Sequence, residues 1–335
     1  MGLIVPDDVV RKEVYITPKD LTSFIVSLGG IKFWAVAIFP MYVGWVLAQP
    51  AGDRHLFIDD LSIVLGLVVI GPLLGTFTLL LNTHYDMETT DRENPRKEYA
   101  RVINDVIDRE TVRYAAWGFG GVGLLLAAFV SVNVVPYETG FLGRYGFFAL
   151  MTGAAALSVA YSHSRIYLKG VAGMDLVINV VGFGVICPLA GWSLIQPFQD
   201  FPAWYLVSVA LFVGAAYAPT TASDYESDKA YGIRTLAVRL GPRNTMVFGL
   251  GMLVAAVLIL FAGGLSGLFP FVDSAAGSLT ALWPFLAAQI IVYAAFTPKP
   301  TQGKIWALLL LLSILQFLAT TLFLYYFTGG FAYPP

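Results

Sequence analysis

Charged residues are scarce in this chain. Lys, Arg, Asp and Glu together make up 13% of its 335 residues, whereas 57% are hydrophobic. Soluble proteins average about 25% charged residues, so this composition excludes an ordinary soluble domain and indicates an integral membrane protein. The net charge is −2, and we expect no nucleic-acid partner.

Cysteine is nearly absent, because Cys187 is the single one and lies inside an apolar run. One cysteine cannot form an internal disulfide, and without a neighbouring His or Asp it is a poor candidate for a catalytic thiol. A signal peptide is not expected either. The first 20 residues contain Asp7, Asp8 and Glu13 and have no apolar core of the kind that such peptides need.

Long hydrophobic runs, in contrast, are abundant. A helix needs about 20 apolar residues to cross a bilayer, and nine runs are candidates: 21–48, 61–81, 112–135, 141–160, 176–195, 204–223, 245–264, 276–296 and 305–327. These runs are continuous, whereas barrel strands would alternate between apolar and polar residues. The sequence therefore predicts an all-α polytopic membrane protein with nine transmembrane helices.

The positive charges are divided unevenly by this topology. Nine spans place the N-terminus and the loops after spans 2, 4, 6 and 8 on one side, which holds 18 of the 20 Lys and Arg; the other side holds Arg54 and Arg144. The positive-inside rule makes the first side cytoplasmic. We expect a cytoplasmic leader at 1–20, one membrane domain at 21–328 and a short tail at 329–335, in a bacterial or archaeal plasma membrane.

Two acidic clusters follow predicted membrane helices on the cytoplasmic side. The first contains Asn82, Asp86 and Asp91, and the second contains Asp224 and Asp228. Asn82 and Asp86 are four residues apart and share a helical face. Carboxylates at membrane depth are costly and tend to mark function, and Mg²⁺ is usually held by one or two carboxylates plus substrate phosphates. The alternative is a solvated loop surface with incidental salt bridges.

These clusters resemble the two Asp-rich motifs of the UbiA-type intramembrane prenyltransferases. The first family motif is Asn-Asp-x-x-Asp-x-x-x-Asp; Asn82 and Asp86 match it, Thr83 replaces its second residue, and Asp91 comes one position late. The second motif, Asp-x-x-x-Asp, is matched by the second cluster. The resemblance runs from about residue 31 to the last span.

Two further segments carry the same resemblance. Residues 232–241 are similar to the family's Gly-x-x-Ser/Thr-Leu-Pro-Val-x-x-Gly, with Ala237 in place of Pro. The family's Tyr-x-x-x-Lys element is matched from Tyr161 to Arg165, with Arg in place of Lys, and Lys169 follows.

The resemblance implies nine helices around a central cavity, with cytoplasmic cap loops, and a Mg²⁺-dependent enzyme. It would move an isoprenyl group from an isoprenyl diphosphate to a lipophilic acceptor and release diphosphate. The implied Mg²⁺ ligands are Asn82, Asp86, Asp91, Asp224 and Asp228. The residues expected to bind diphosphate are Asn82, Arg165, Lys169 and Lys229. Asp86, Asp91, Asp224, Asp228 and Tyr161 are the expected catalytic residues, and the ring of Tyr161 or Tyr225 would steady an allylic cation.

The acceptor and the outcome have alternatives. Segment 93–97, Glu-Asn-Pro-Arg-Lys, looks more like the lycopene-elongating branch of the family, which favours a carotenoid over a quinone- or chlorophyll-type ring. A UbiA-type terpene cyclase would use the same diphosphate site without an acceptor. An ion-coupled transporter fits poorly, because the acids lie at span ends on one side and no internal repeat is evident.

Overall fold

The computed structural model describes residues 31–86, 109–135, 140–266 and 275–329. In these ranges the chain forms eleven helices and no strand. Nine are long: α1 (Ile31–Ala48), α2 (Leu61–Asp86), α3 (Arg109–Asn133), α4 (Gly140–Ser162), α5 (Met174–Trp192), α6 (Ala203–Ser223), α9 (Pro242–Leu265), α10 (Ala275–Phe296) and α11 (Gln302–Phe327). Two are short, α7 (Tyr225–Ala230) and α8 (Leu236–Leu240).

The membrane architecture predicted from the sequence is confirmed. Seven helices of the described chain are long and apolar enough to cross a membrane, and two shorter apolar helices lie at Phe33–Ala48 and Ala281–Phe296. One boundary differs usefully from the prediction. Helix α2 continues to Asp86, five residues beyond the predicted end of its apolar run, so the first acidic cluster begins inside a helix.

Helices α2 and α5 each contain a π-helical turn. In α2 it covers Val69–Leu73 and includes Pro72, whose missing N–H disturbs the regular hydrogen-bond ladder. In α5 it covers Val180–Ile186 and ends just before Pro188. Such turns are common at functional sites, and both flank the cavity described below.

Helices α1 and α5 cross almost in backbone contact. A Cβ atom added at Gly44 would lie 2.0 Å from the Pro188 carbonyl oxygen, and one added at Gly191 would lie 1.8 Å from the Met41 carbonyl oxygen. Association of membrane helices depends on such close packing, because lipid supplies little hydrophobic driving force. The two glycines therefore fix the relative position of α1 and α5.

This crossing leads to a stability prediction. We expect Gly191→Ala to lower the thermal unfolding temperature in detergent, because an overpacked core position costs about 1–3 kcal/mol. Gly118→Ala is the matched control, since an added Cβ there would meet no atom within 4 Å. Equal unfolding temperatures for the two variants would contradict the close crossing.

Candidate active site

The two acidic clusters meet a buried lysine. Asp86, the last residue of α2, forms an ion pair with Lys169, which lies in a short 3₁₀ turn (Leu168–Gly170) between α4 and α5. Asp86 is 4% exposed and Lys169 is 6% exposed. Burying two charges is costly unless they compensate each other. The turn holds the Lys169 ammonium beside the Asp86 carboxylate, so the two charges compensate each other.

Tyr167 shapes that turn. It has φ +47° and ψ +50°, and it is the only non-glycine residue with positive φ in the described chain. Such a conformation is uncommon for a bulky residue and tends to mark functional sites. The Lys169 Nζ lies 5.2 Å from the centre of the Tyr167 ring. Burial and the nearby charges of Asp86 and Asp228 raise the pKa of the Tyr167 hydroxyl, so carboxylates of both clusters act on this side chain.

Asp228 is the residue of the second cluster that lies near Asp86 and Lys169. It lies in α7 and is half-buried, and burial raises its pKa to about 6. The negative charges of Asp175 and Asp86 raise this pKa further, whereas the nearby Thr235 hydroxyl and the charge of Lys169 lower it. The structure thus brings Asp86 and Asp228, 142 positions apart in the sequence, into electrostatic contact around Lys169.

The other predicted site residues are more scattered. Asp224 is at the junction of α6 and α7, where its carbonyl accepts a hydrogen bond from the Asp228 N–H at 2.9 Å. Arg165 is exposed. Lys229 is exposed and donates to the Tyr225 hydroxyl at 3.2 Å, so these two side chains engage each other at the surface. Asp91 lies outside the described residues.

An apolar cavity lies among the helices of the membrane domain, one helical turn from Asp86. It has a volume of about 230 Å³. Asn82 lines it near the end of α2, and Tyr161 lines it near the end of α4. The hydroxyls of Tyr161 and Tyr217 lie 3.1 Å apart, and Tyr217, from α6, is a lining residue that the sequence analysis missed. Tyr225 is not among the described residues that line the cavity. Of the two predicted cation-facing rings, the geometry therefore favours Tyr161.

Asp175 is a second residue that the sequence analysis missed. It is 1% exposed, and its carboxylate accepts hydrogen bonds from the N–H of Gly173 at 2.9 Å and of Leu236 at 3.3 Å. Leu236 begins α8, directly after Thr235, whose hydroxyl lowers the pKa of Asp228. Asp175 therefore ties the segment that follows the second cluster to the start of α5. In the sequence, the feature that could have identified Asp175 is a single Asp among apolar residues.

We expect Asp175→Ala to lower the unfolding temperature and to raise the KM for the diphosphate donor. The reason is that a buried N–H left without its acceptor costs about 1–3 kcal/mol, and release of the Leu236 N–H would loosen the segment beside Asp228. Asp175→Asn keeps an acceptor oxygen and should retain most of both properties. If the Ala and Asn variants behave alike in thermal unfolding and in donor titration, the hydrogen bonds are not what this residue supplies.

The donor set fits Mg²⁺ only together with a substrate. Its described members, Asn82, Asp86, Asp224 and Asp228, offer hard oxygen ligands of the type that Mg²⁺ prefers. In the described ranges, however, no three His, Cys, Asp or Glu side chains converge into a group that could hold a metal alone. Mg²⁺ usually combines one or two carboxylates with substrate phosphates, and two facing carboxylates beside an ammonium suit such a shared site.

Curated relatives cover most of the chain. It is 27% identical over 300 residues to a lycopene elongase/hydratase from Haloarcula japonica, a match that covers 86% of this chain and 94% of the relative. It is 26% identical over 313 residues to the C(50) beta-cyclic carotenoids biosynthesis protein LbtBC from Dietzia sp., covering 92% of this chain and 66% of the relative.

A solved structure shows the same fold. A UbiA homolog from Archaeoglobus fulgidus, bound to DMAPP and Mg²⁺, superposes with a TM-score of 0.63 at 17% identity, covering 90% of this chain and 99% of that one. The sequence model of the UbiA prenyltransferase family matches residues 37–292. This range includes both acidic clusters, the buried lysine and every residue that lines the cavity except Phe33. The chain is therefore an integral membrane enzyme of the UbiA prenyltransferase family.

Proposed function

We propose that this enzyme transfers an isoprenyl group from an isoprenyl diphosphate to a carotenoid acceptor such as lycopene, with release of diphosphate. The proposal is supported mainly by the proximity of a charged cluster to an apolar cavity. The buried Asp86–Lys169 pair and half-buried Asp228 lie near an apolar cavity, whose lining residue Asn82 is one helical turn before Asp86. A substrate with an anionic head and a hydrocarbon tail needs both environments in that order.

The chain's own residues would bind the head and shield the tail. Lys169 would neutralise phosphate oxygens through charge-assisted hydrogen bonds, and Arg165 and Lys229 would add positive charge from the surface. When bound, Mg²⁺ would stabilise the charge of the departing diphosphate; its proposed ligands are Asn82, Asp86, Asp91, Asp224 and Asp228. The apolar cavity walls would keep water from the allylic cation, and the ring of Tyr161 would face it.

The carotenoid acceptor is supported by the relatives. The two curated relatives described above are named for carotenoid chemistry, and the match covers 94% of the Haloarcula relative. These names favour a carotenoid acceptor for this chain.

The test is a reconstitution of the purified chain in liposomes that contain lycopene. Dimethylallyl diphosphate and Mg²⁺ should give diphosphate and a lycopene product enlarged by isoprenyl units, detected by mass spectrometry. Diphosphate release without lycopene, together with a cyclic product from a longer donor, would point to a cyclase. No Mg²⁺-dependent diphosphate release with either donor would refute the enzymatic proposal.

We also propose that the acidic clusters face the cytoplasm, as the distribution of Lys and Arg predicts. Cysteines introduced at exposed Asp53 and exposed Arg239 should differ in intact cells. A membrane-impermeant maleimide should label position 53 and leave position 239 unlabelled until the cells are broken. Cys187 is buried and gives little background. Labelling of position 239 in intact cells would show that the acidic clusters face the outside of the cell and would contradict the proposed orientation.

A further inference from the structure

A pair of hydroxyls lies on the wall of the apolar cavity. The side-chain oxygens of Thr78 in α2 and Ser158 in α4 are 2.7 Å apart, and both residues line the cavity. Each also contacts a carbonyl of its own helix: Thr78 that of Leu74 at 2.8 Å, and Ser158 that of Ala154 at 2.9 Å. The pair is a polar position in a largely apolar chamber.

The protons of this pair are already used. Two hydroxyls have two protons, and three short contacts compete for them: one between the oxygens and two to helix carbonyls. Each hydroxyl oxygen also carries two lone pairs. Neither hydroxyl therefore has a proton to spare for a ligand, and what the pair can offer to the cavity is lone pairs. Such a site favours positive charge or a hydrogen-bond donor and disfavours an anion or a carbonyl.

The pair lies one helical turn deeper than the reacting end of the cavity. Thr78 precedes Asn82 by four residues, which is about 6 Å along the helix axis. Ser158 precedes Tyr161 by three residues in α4; α2 ends at Asp86, and α4 ends one residue after Tyr161. A tail that enters from the diphosphate site would thus pass Asn82 and Tyr161 first and the hydroxyl pair next.

We infer that the Thr78–Ser158 pair stabilises positive charge at C3 of the isoprenyl donor, an inference that rests on the proposed function. When the C1–O bond breaks, its electron pair leaves with the diphosphate, and the cation is shared between C1 and C3. C3 is two bonds deeper in the cavity, toward the pair. The acceptor double bond then supplies the electrons for the new bond to C1 and takes over the positive charge, which is discharged when the acceptor loses a proton to the released diphosphate. The hydroxyls form no covalent bond and lose no proton; their lone pairs face the charge.

The test compares two donor analogues that differ in charge at one atom. 2-(Dimethylamino)ethyl diphosphate has a protonated nitrogen in place of C3, and 3-methylbutyl diphosphate is its neutral counterpart. Because both share the diphosphate, the ratio of their inhibition constants reports the site around C3 alone. We expect the full-length enzyme in liposomes, with Mg²⁺, to prefer the charged analogue, as binding sites built for a transition state do.

Four variants then decide the question. Thr78→Val and Ser158→Ala should each reduce the preference by about tenfold or more, the size of one charge-assisted hydrogen bond. Thr78→Ser retains the hydroxyl and should therefore keep the preference for the charged analogue. Thr152→Val is the matched control, because Thr152 is exposed on the same helix and its hydroxyl bonds the Phe148 carbonyl in the same manner; it should keep the preference.

The outcomes separate the two proposals. Binding of both analogues with no preference in the native enzyme, or an unchanged preference in Thr78→Val and Ser158→Ala, overturns the role of the pair and leaves the diphosphate site intact. If neither analogue competes with dimethylallyl diphosphate, the proposed function fails and this inference fails with it. Because the preference is a ratio, a partly unfolded variant still reports on its folded fraction.

Discussion

Asp86→Asn and Asp228→Asn should each reduce turnover by at least about 100-fold, the effect of removing one electrostatic group from a transition state. Asn keeps the shape of the side chain and removes its charge. The two carboxylates belong to different helices, yet the negative charge of Asp86 acts on Asp228 across the site. Residues that act as one unit are strongly non-additive, so the double variant should be no slower than the slower single variant.

The matched control for this experiment is Glu226→Gln. Glu226 lies in the same short helix as Asp228, two residues before it, and is exposed. Turnover should be measured as diphosphate release at saturating donor and at several Mg²⁺ concentrations, and high Mg²⁺ should restore only part of the loss. Near-native turnover in both Asn variants would remove the clusters from the chemistry.

Lys169→Met should affect donor binding and stability together. Loss of one charge-assisted hydrogen bond costs about 1.5–3 kcal/mol, which weakens donor affinity roughly 10- to 150-fold. The structure adds a second effect, because Lys169 forms a buried ion pair with Asp86. Removing one partner of such a pair costs about 3–5 kcal/mol. The variant should therefore unfold at a clearly lower temperature than the native chain.

The double variant Asp86→Asn/Lys169→Met separates these effects. It removes both charges, so its stability should recover toward the native value while donor binding stays weak. Lys299→Met is the control, since Lys299 is exposed and lies far from the site in sequence. A Lys169→Met enzyme with native stability and native donor affinity would mean that the buried pair is unimportant for both.

Much of the architecture was predictable from the sequence, because bilayer thickness fixes helix length and the apolar runs are unbroken. The structure places the long helices close to the predicted runs. The acidic clusters were also recognisable, since Asp at membrane depth stands out from its surroundings. Their meeting around a single lysine depends on how helices pack, and no local pattern contains that information.

The residues that were missed illustrate the same limit. The carboxylate of Asp175 accepts a hydrogen bond from the backbone N–H of Leu236, 61 positions away in the sequence. The hydroxyl of Tyr217 contacts that of Tyr161, a residue of another helix 56 positions earlier. Buried Lys169 follows Tyr167, whose positive φ is not signalled by its residue type. Arg165 and Lys229 were equally plausible by charge, but they remain at the surface. Charge and spacing identified candidates, and tertiary packing distinguished them.

The near-contact crossing of α1 and α5 has a consequence for the range of donors. Both helices supply cavity wall, α1 through Phe33 and Ala37 and α5 through residues 178–187. Since Gly44 and Gly191 bring the two backbones into close packing, moving α1 away from α5 would open a void at the crossing. We therefore expect extra tail length on this wall to come from rotamer changes of side chains, and Phe33 and Phe183, edge to face at 5.3 Å, are the large ones available there. For the proposed isoprenyl donor, tail length along this wall should then depend on two aromatic rings more than on helix motion.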